Sequence, residues 1–289
     1  MTAELSPCPL CDGTGWRPID DPSTGVRRVA RCDCWREQIV HRRLADAGIE
    51  PRYRKCTLES FRIDSDSHRD AVQRCQMFID RFPVVDKGLL FMGYPGSGKT
   101  HLATAVLKEV IQRTGAAGMF VDVRVLLRSI RDTYNPVVKA TELQVIRPVM
   151  ESPLLVLDDL GAEKMTEWVD ETMTLIVTAR YNKKLPTIFT TNYLDREADD
   201  KSLAEVLFER VGARIHSRLH EMCDFIELQI LDYRKIGDEA TPEQMHRLEK
   251  HAQSMSKNGM PSRPKSAKAQ LKRQGGAIDL RWPGGRAGS

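Results

Sequence analysis

The spacing of apolar residues changes near residue 85, and this change divides the chain. Before it, apolar positions of residues 67–82 recur at helical spacing, and a second helix is predicted over residues 36–47. After it, five short apolar runs alternate with helix-length segments, and these runs predict strands over residues 88–93, 118–123, 154–158, 187–192 and 224–228. Continuous apolar strands separated by helices predict a parallel sheet covered on both faces, which is a three-layer α/β sandwich.

The same patterns predict four segments. A cysteine-rich module with its helix occupies residues 1–47, and a linker with one further helix occupies residues 48–85. The α/β domain spans residues 86–235. Residues 236–289 hold one short helical pattern, over residues 242–254, and then a tail rich in Gly, Pro, Ser, Lys and Arg that is predicted to be disordered.

Charge is spread unevenly along the 289 residues. The whole chain carries +4, whereas residues 251–289 hold eight Lys or Arg and one Asp, a net charge of +7. The preceding 250 residues therefore carry about −3 by subtraction. The tail favours an anionic partner such as nucleic acid, or is simply a solvated end.

No apolar run approaches the roughly 20 residues that cross a bilayer. The first residues also lack the charged-then-apolar layout of a signal peptide. These observations predict a cytoplasmic protein without a membrane partner.

An eight-residue motif follows the first strand of the predicted sheet. The segment GYPGSGKT, Gly93–Thr100, fits the pattern GxxxxGK[ST] between a strand and a helix. Backbone N–H groups of such a loop wrap around phosphate oxygens, Lys99 reaches the β- and γ-phosphates, and Thr100 completes a Mg²⁺ shell. The nucleotide-binding residues predicted here are Gly93, Pro95, Gly96, Ser97, Gly98, Lys99 and Thr100.

Polar side chains end two later strands. Asp158 and Asp159 close the run VLDD, at the strand end where open α/β sheets place ligand groups. Asp158 is predicted to hold Mg²⁺ through water, and Asp159 to orient or deprotonate the attacking water. Asn192 follows the next strand and is predicted to hydrogen-bond the γ-phosphate or its water, although a lone asparagine there more often forms a turn.

At this point a family resemblance is clear. The segments GYPGSGKTHLA, LLVLDDLGAEKMTEW, ARYNKKLPTIFTTNY, GARIHSRLHEM and LDYR, in this order, resemble the DnaC/IstB-like branch of the AAA+ ATPases. The resemblance runs from about Gly48 to Arg234. It implies an AAA+ P-loop fold with a reduced lid, which binds ATP with Mg²⁺ and hydrolyses the ATP.

The resemblance also implies roles for arginines. Arg218, in the SRL motif, would reach the nucleotide of a neighbouring subunit, with Arg214 as the alternative for this role. Arg234 would act on the nucleotide of its own subunit. An arginine supplied by a neighbour implies a homo-oligomer in the ATP-bound form. Three features favour a switch rather than a motor: the trans arginine, the reduced lid, and an aspartate, Asp159, as the second acid in place of the longer glutamate. ATP hydrolysis would then be slow until DNA and neighbouring subunits assemble the site.

Two functions are typical of this branch. The first is a helicase loader, which binds a replicative DNA helicase and helps place it on single-stranded DNA. The second is a transposition helper of the IstB kind, which binds DNA and recruits a transposase. Alternatives from other classes are a P-loop kinase acting on a small metabolite and an adaptor that binds ATP without hydrolysing it.

Seven cysteines occur, and four of them lie within the first 34 residues. Two pairs at such spacing can supply four thiolates to a structural Zn²⁺, with His41 able to replace one of them. Unpaired thiols or a redox pair are the alternatives. By analogy with loaders of this branch, the module docks a partner. The predicted zinc ligands are Cys8, Cys11, Cys32 and Cys34, and the other three cysteines, which are expected to be small core residues, are Cys56, Cys75 and Cys223.

Three arginines follow the second strand at spacings of four and three. Arg124, Arg128 and Arg131 share one face if residues 123–133 are helical. Such a face could bind phosphates of single-stranded DNA regardless of sequence, or could simply be solvated.

Overall fold

The computed structural model describes residues 8–11, 14, 16–20, 27–135, 137, 139–196 and 206–229. Arg234, the helical pattern at residues 242–254, the lid and the basic tail lie outside these residues. None of the helices in the described part is long and apolar enough to cross a membrane.

The described residues form seven strands, seven α-helices and one short 3-10 helix. The strands are β1 (Trp16–Asp20), β2 (Arg27–Arg31), β3 (Gly88–Gly93), β4 (Gly118–Asp122), β5 (Leu154–Asp158), β6 (Thr187–Thr191) and β7 (Cys223–Leu228). The α-helices are α1 (Asp33–Asp46), α2 (Asp66–Arg81), α3 (Lys99–Thr114), α4 (Val123–Asp132), α5 (Glu142–Glu151), α6 (Glu167–Asn182) and α7 (Leu207–Met222). The 3-10 helix is Pro51–Tyr53.

The five predicted strands are confirmed and form one parallel sheet in the order β4-β5-β6-β3-β7. The boundaries differ from the prediction by one residue at three places. At β4 the reason is visible, because the Asp122 carboxylate accepts hydrogen bonds from the N–H groups of Arg124 and Val125, so the strand ends one residue early and α4 begins at Val123. All the strands therefore end at the same edge of the sheet, where the predicted nucleotide residues lie.

Alternate residues of each strand enter two separate cores, which confirms the three-layer architecture. Leu89 and Phe91 of β3 pack with α2 and α3, whereas Leu90 and Met92 pack with the layer formed by α4, α5, α6 and α7. All four side chains are buried. Burial on both faces explains why these strands are continuously apolar rather than alternating.

One core residue was not expected from the pattern. Arg180 of α6 is fully buried. Its guanidinium donates to the carbonyls of Val149, Ser152 and Pro186 and to the Thr187 hydroxyl, at 2.8 to 2.9 Å. Burial lowers the pKa of Arg180 to about 10, so the group stays charged at neutral pH. It ties the end of α5 to the beginning of β6.

The N-terminal segment is a small antiparallel pair followed by α1. Strands β1 and β2 pair antiparallel, and residues 21–26 between them lie outside the described residues. The Arg31 guanidinium lies 4.0 Å from the centroid of the Trp16 ring and 4.2 Å from that of Trp35, which joins both strands to α1. At the other end of α1, the carbonyl of Ala47 accepts a hydrogen bond from the N–H of Phe120 in β4.

Candidate nucleotide site

The phosphate-binding loop leaves β3 and enters α3 through residues that only glycine fits easily. Gly98 has a φ of 92°, in the left-handed region, and a Cβ added there would lie 2.5 Å from the ring of Phe61. Both the backbone conformation and the close approach therefore favour glycine at this position. The loop ends at Lys99, the first residue of α3, so the helix N-terminus points its N–H groups at the site.

Two buried side chains of this loop are suited to bind phosphate. The Lys99 ammonium donates to the carbonyls of Gly93, at 2.9 Å, and Tyr94, at 2.8 Å. The Ser97 hydroxyl is buried without a hydrogen-bond partner among the described residues. An unpartnered buried hydroxyl is costly, and a phosphate oxygen would satisfy it. The loop therefore fits the nucleotide predicted for it.

Asp158 lies beside this loop at the end of β5. Its Oδ1 accepts hydrogen bonds from the hydroxyls of Thr100, at 2.9 Å, and Thr190, at 2.6 Å. Burial raises the pKa of Asp158 from 3.8 to about 6, against the opposing effect of the two hydroxyl contacts, while the charge of Asp159 raises it further. A buried carboxylate next to a threonine hydroxyl is a donor set that suits Mg²⁺.

Asp159 has a φ of 60°, which directs its side chain away from that of Asp158. Its N–H donates to the Thr190 hydroxyl at 2.9 Å. Its Oδ2 accepts from Arg124 at 2.9 Å, and its Oδ1 from the Asn192 amide at 3.4 Å. The structure therefore brings together Asp159 and Asn192, as the sequence predicts, and adds Arg124 as a partner.

The three arginines of α4 do not have the same environment. All three are exposed. Arg124 is paired with the carboxylates of Asp122 and Asp159, and the Arg131 guanidinium lies 4.6 Å from the centroid of the Trp168 ring. The uniform phosphate-binding face remains a prediction, and two of its three members already have partners within the chain.

Arg218 lies at the opposite end of the sheet from the phosphate-binding loop. It is near the end of α7, just before β7 begins at Cys223. Its Nη1 donates to the Arg214 carbonyl at 3.0 Å, and its guanidinium lies 5.8 Å from the centroid of the Tyr181 ring. Its Nε is buried without a hydrogen-bond partner among the described residues. Arg214 itself is exposed on the same helix.

Several residues at this edge were not singled out from the sequence. Thr190 contacts both aspartates and is the central hydroxyl of the site. Burial raises the pKa of Tyr53, and the charge of Asp158 raises it further while the charge of Arg52 and the Thr100 hydroxyl lower it, so this phenol lies near the residues predicted to hold Mg²⁺. Arg210 of α7 donates to the carbonyl of Gly161 at 2.6 Å. The only signal that could have identified Thr190 was its place in the pair of threonines directly before Asn192.

The predicted cysteine group is assembled in space. The Sγ atoms of Cys8 and Cys32 lie 3.8 Å apart, those of Cys11 and Cys34 lie 3.3 Å apart, and all four atoms lie within 4.8 Å of one another. Tetrahedral Zn²⁺ with Zn–S bonds of ~2.3 Å places its sulfurs ~3.8 Å apart, so the group fits zinc. The group contains Cys34 and not His41.

The protonation of Cys34 would make metal binding depend on pH. The contact with the Cys11 thiol and then burial raise the pKa of Cys34. Crowded thiols that resist ionisation release their protons when a metal binds, which makes zinc affinity dependent on pH. The three remaining cysteines are buried, as expected of core residues.

Three features define the class of protein: the sheet order, the phosphate-binding loop after β3, and the acidic pair that begins at the end of β5. Together they define a P-loop nucleotide-binding protein of the AAA+ type. Residues 32–235 match the family described as IstB-like ATP binding protein, and the chain belongs to this family. Nucleotide and Mg²⁺ binding are properties of such P-loop proteins.

Relatives named as helicase loaders share this fold. Over 180 residues the chain is 26% identical to the replicative helicase loader DnaC of Escherichia coli strain K12, which covers 62% of this chain and 71% of that protein. A crystal structure of the DnaC helicase loader superposes with a TM-score of 0.55 at 33% identity, covering 62% of this chain and 99% of that one. The crystal structure of DnaI, at 24% identity and a TM-score of 0.50, covers 64% of this chain and 93% of that one, and it shares the fold.

Proposed function

We propose that this chain is an ATP-hydrolysing helicase loader, which binds a replicative DNA helicase and helps place it on single-stranded DNA. The observation that carries the proposal is the similarity to the solved DnaC helicase loader at 33% identity over 99% of that chain. The curated relatives named as replicative helicase loaders favour this function over recruitment of a transposase.

ATP binding would begin with a change of partners at Lys99. In the present structure its ammonium is held by the carbonyls of Gly93 and Tyr94. Phosphate oxygens would compete with these carbonyls, because a charge-assisted contact is stronger than one to a neutral acceptor. Ser97, which is buried without a partner among the described residues, would donate to the same phosphates.

Thr100 and Asp158 would hold the metal beside these phosphates. When bound there, Mg²⁺ neutralises the charge that develops on the phosphate oxygens. Asp158 has to be ionised for this role, and its pKa of about 6 means that it is mostly ionised at neutral pH. Metal binding would therefore weaken as the pH falls through about 6.

Asp159 would orient the attacking water, with Asn192 beside it. In this structure one oxygen of Asp159 accepts from Arg124 and the other faces the Asn192 amide. A carboxylate whose two oxygens already contact an arginine and an amide has less freedom to orient a water molecule. This contact supports slow basal hydrolysis, which is the behaviour of a switch rather than a motor.

DNA could relieve this restraint. Arg124 is half-exposed, and a DNA phosphate that binds it would compete with Asp159 for the guanidinium. Release of Asp159 would then raise the rate of hydrolysis. Arg128 and Arg131 on the same helix would add sequence-independent phosphate contacts.

Arg218 would complete the site of a neighbouring subunit. Its position at the opposite end of the sheet separates it from its own phosphate-binding loop, and its Nε lacks a hydrogen-bond partner among the described residues. An arginine that stabilises the transferring phosphoryl group raises turnover by ~10³–10⁵. The proposal therefore includes a homo-oligomer in the ATP-bound form, with Arg214 as the alternative donor and Arg234 acting within its own subunit.

The cysteine group would hold a structural Zn²⁺ that stabilises the N-terminal hairpin. Four thiolates close the coordination shell, so the metal would have no open position for catalysis. Its role would be to fix the surface formed by β1, β2 and α1 as a docking site for the helicase.

The first experiment measures ATP hydrolysis with and without single-stranded DNA, and loading of the purified replicative helicase from the same organism onto circular single-stranded DNA. The wild-type chain should load helicase, Lys99→Ala should not, and the exposed-lysine control Lys139→Ala should behave as wild type. Binding to a transposase instead of the helicase would support the IstB-like alternative. Phosphorylation of a small acceptor would indicate a kinase.

A second experiment tests the neighbour's arginine. Lys99→Ala and Arg218→Ala should each be inactive alone, and a mixture should recover part of the activity, because some interfaces then combine an intact loop with an intact arginine. The exposed Arg147→Ala is the matched control. A mixture as inactive as its components contradicts the trans role.

A further inference from the structure

A second group of metal-ligating side chains lies apart from both the nucleotide loop and the cysteines. Asp195 lies in the segment after β6, and His216 and His220 lie one turn apart on α7. The Nε2 of His216 is 2.7 Å from Oδ1 of Asp195, and the Nε2 of His220 is 3.1 Å from Oδ2. Both imidazoles thus direct the same ring nitrogen at one carboxylate.

We propose that Asp195, His216 and His220 form a binding site for Zn²⁺ or a similar divalent transition-metal ion. The three ligand atoms lie within 4.8 Å of one another. Zinc bonds of ~2.0–2.2 Å to nitrogen and oxygen place tetrahedral ligands ~3.4 Å apart, so the contacts of 2.7 and 3.1 Å have to open only slightly, by small side-chain rotations, to admit an ion. Two imidazoles and one carboxylate suit zinc, whereas Mg²⁺ and Ca²⁺ prefer oxygen ligands.

The two imidazole rings are held in place before any metal arrives. The ring of Phe208 meets His216 edge-on at 5.4 Å between centroids, and His216 meets His220 edge-on at 4.6 Å. The ring of Phe225 stacks on His220 at 4.4 Å. Because these contacts already restrict the rings, metal binding loses little conformational freedom, and preorganised ligands bind more tightly.

The site is accessible from solvent. The side chain of His220 is 51% exposed, and those of Asp195 and His216 are about one-fifth exposed, so an ion can enter from solvent and keep water as a further ligand. Arg196, the next residue along the chain, is paired with Glu227 of β7. Its Nη1 also donates to the Asp195 carbonyl at 3.3 Å, and the Lys87 ammonium donates to the His220 carbonyl at 3.2 Å, so both cations are bonded to oxygens other than the three ligand atoms.

An ion bound here would cross-link two parts of the molecule. Asp195 lies three residues beyond Asn192, whose amide faces Asp159, and Arg218 lies between the two histidines on α7. The metal would therefore fix the segment that contacts the nucleotide site against the helix that carries the proposed trans arginine. This consequence depends on the proposed function, but the metal site itself does not.

The test is a count of bound zinc in the full chain by equilibrium dialysis against Zn²⁺ and mass spectrometry of the metal. The double variant His216→Gln/His220→Gln leaves the cysteine group intact and should bind one Zn²⁺ fewer per chain than wild type. Glu209→Gln, which changes an exposed carboxylate of α7 outside the group, is the matched control and should equal wild type. Equal zinc content in wild type and the double variant overturns the proposal.

A single-atom change covers the case in which the double variant does not fold. Asp195→Asn keeps both imidazoles and their ring contacts but removes the charged ligand. Its affinity for the additional Zn²⁺ should fall by at least about tenfold, since even partners that only support a ligand are worth 10–100-fold. The wild-type melting temperature should rise with added Zn²⁺ more than that of Asp195→Asn, and an equal rise in both contradicts the site.

Discussion

Replacing Asp158 by asparagine removes a buried charge while keeping an oxygen that can accept from Thr100 and Thr190. The wild-type side chain is only 5% exposed, and burial raises its pKa from 3.8 to about 6. A carboxyl whose pKa is higher in the folded chain binds more protons there than in the unfolded chain, so its ionisation opposes folding. Asp158→Asn should therefore stabilise the chain in the absence of metal and nucleotide.

The size of this effect follows from the two pKa values. The difference between 3.8 and about 6, at about 1.36 kcal/mol for each pH unit, corresponds to about 3 kcal/mol once the folded group is ionised. The stability of the folded chain therefore falls as the pH rises from about 4, and the whole penalty for ionising Asp158 is present above about pH 7. At pH 5 the carboxyl in the folded chain is still largely protonated, so the penalty is about half of its full value.

The assay is urea unfolding followed by circular dichroism at pH 5 and pH 8, with EDTA and no nucleotide. Any fixed difference between an amide and a neutral carboxyl is the same at both pH values. The decisive quantity is therefore how much the gap in free energy of unfolding between wild type and variant changes with pH. We expect the gap to grow by about 1.5 kcal/mol from pH 5 to pH 8. The exposed control Asp86→Asn should show no such growth, and a gap independent of pH for Asp158→Asn would refute the argument.

Three further predictions concern other parts of the chain. Arg180→Lys should lower the free energy of unfolding by about 2 kcal/mol or more in urea titrations, because one ammonium cannot serve all the carbonyls that the guanidinium satisfies. Arg124→Ala should raise basal ATP hydrolysis and reduce its stimulation by single-stranded DNA, whereas Arg128→Ala should leave basal hydrolysis unchanged. Cys34→Ser should lose the zinc of the cysteine group, measured as metal content. In the wild-type chain the zinc content of this group should fall as the pH is lowered.

Much of the fold and part of the site could be predicted because the signals are local. The strand boundaries agree with the apolar runs to within one residue, since burial on both faces leaves continuous apolar segments. The contacts of Lys99, Asp158 and Asn192 follow from the rule that parallel strands present their carboxyl ends at one edge. The eight-residue motif Gly93–Thr100 by itself indicates that a strand precedes it and a helix follows it.

The remaining features depend on contacts between residues distant in sequence. Arg180 belongs to a polar-looking segment of α6, and a single arginine in a helix normally indicates a surface, so its burial could not be inferred. Asp195 and His216 are separated by 21 positions and meet only because α7 packs beside the segment after β6. Neither local propensity nor spacing contains that information.

The same distinction changes the physical reason for the slow hydrolysis that the proposed function includes. The sequence suggests that Asp159, whose side chain is one methylene shorter than that of glutamate, holds the attacking water from farther back. The structure offers a stronger reason, since Arg124 donates to one oxygen of Asp159 and Asn192 faces the other. A side-chain length is a fixed property, whereas an exposed ion pair can be broken by a competing phosphate. In the proposed function, regulation by DNA would therefore depend on the arginine, and the shorter acid by itself would give only slow hydrolysis.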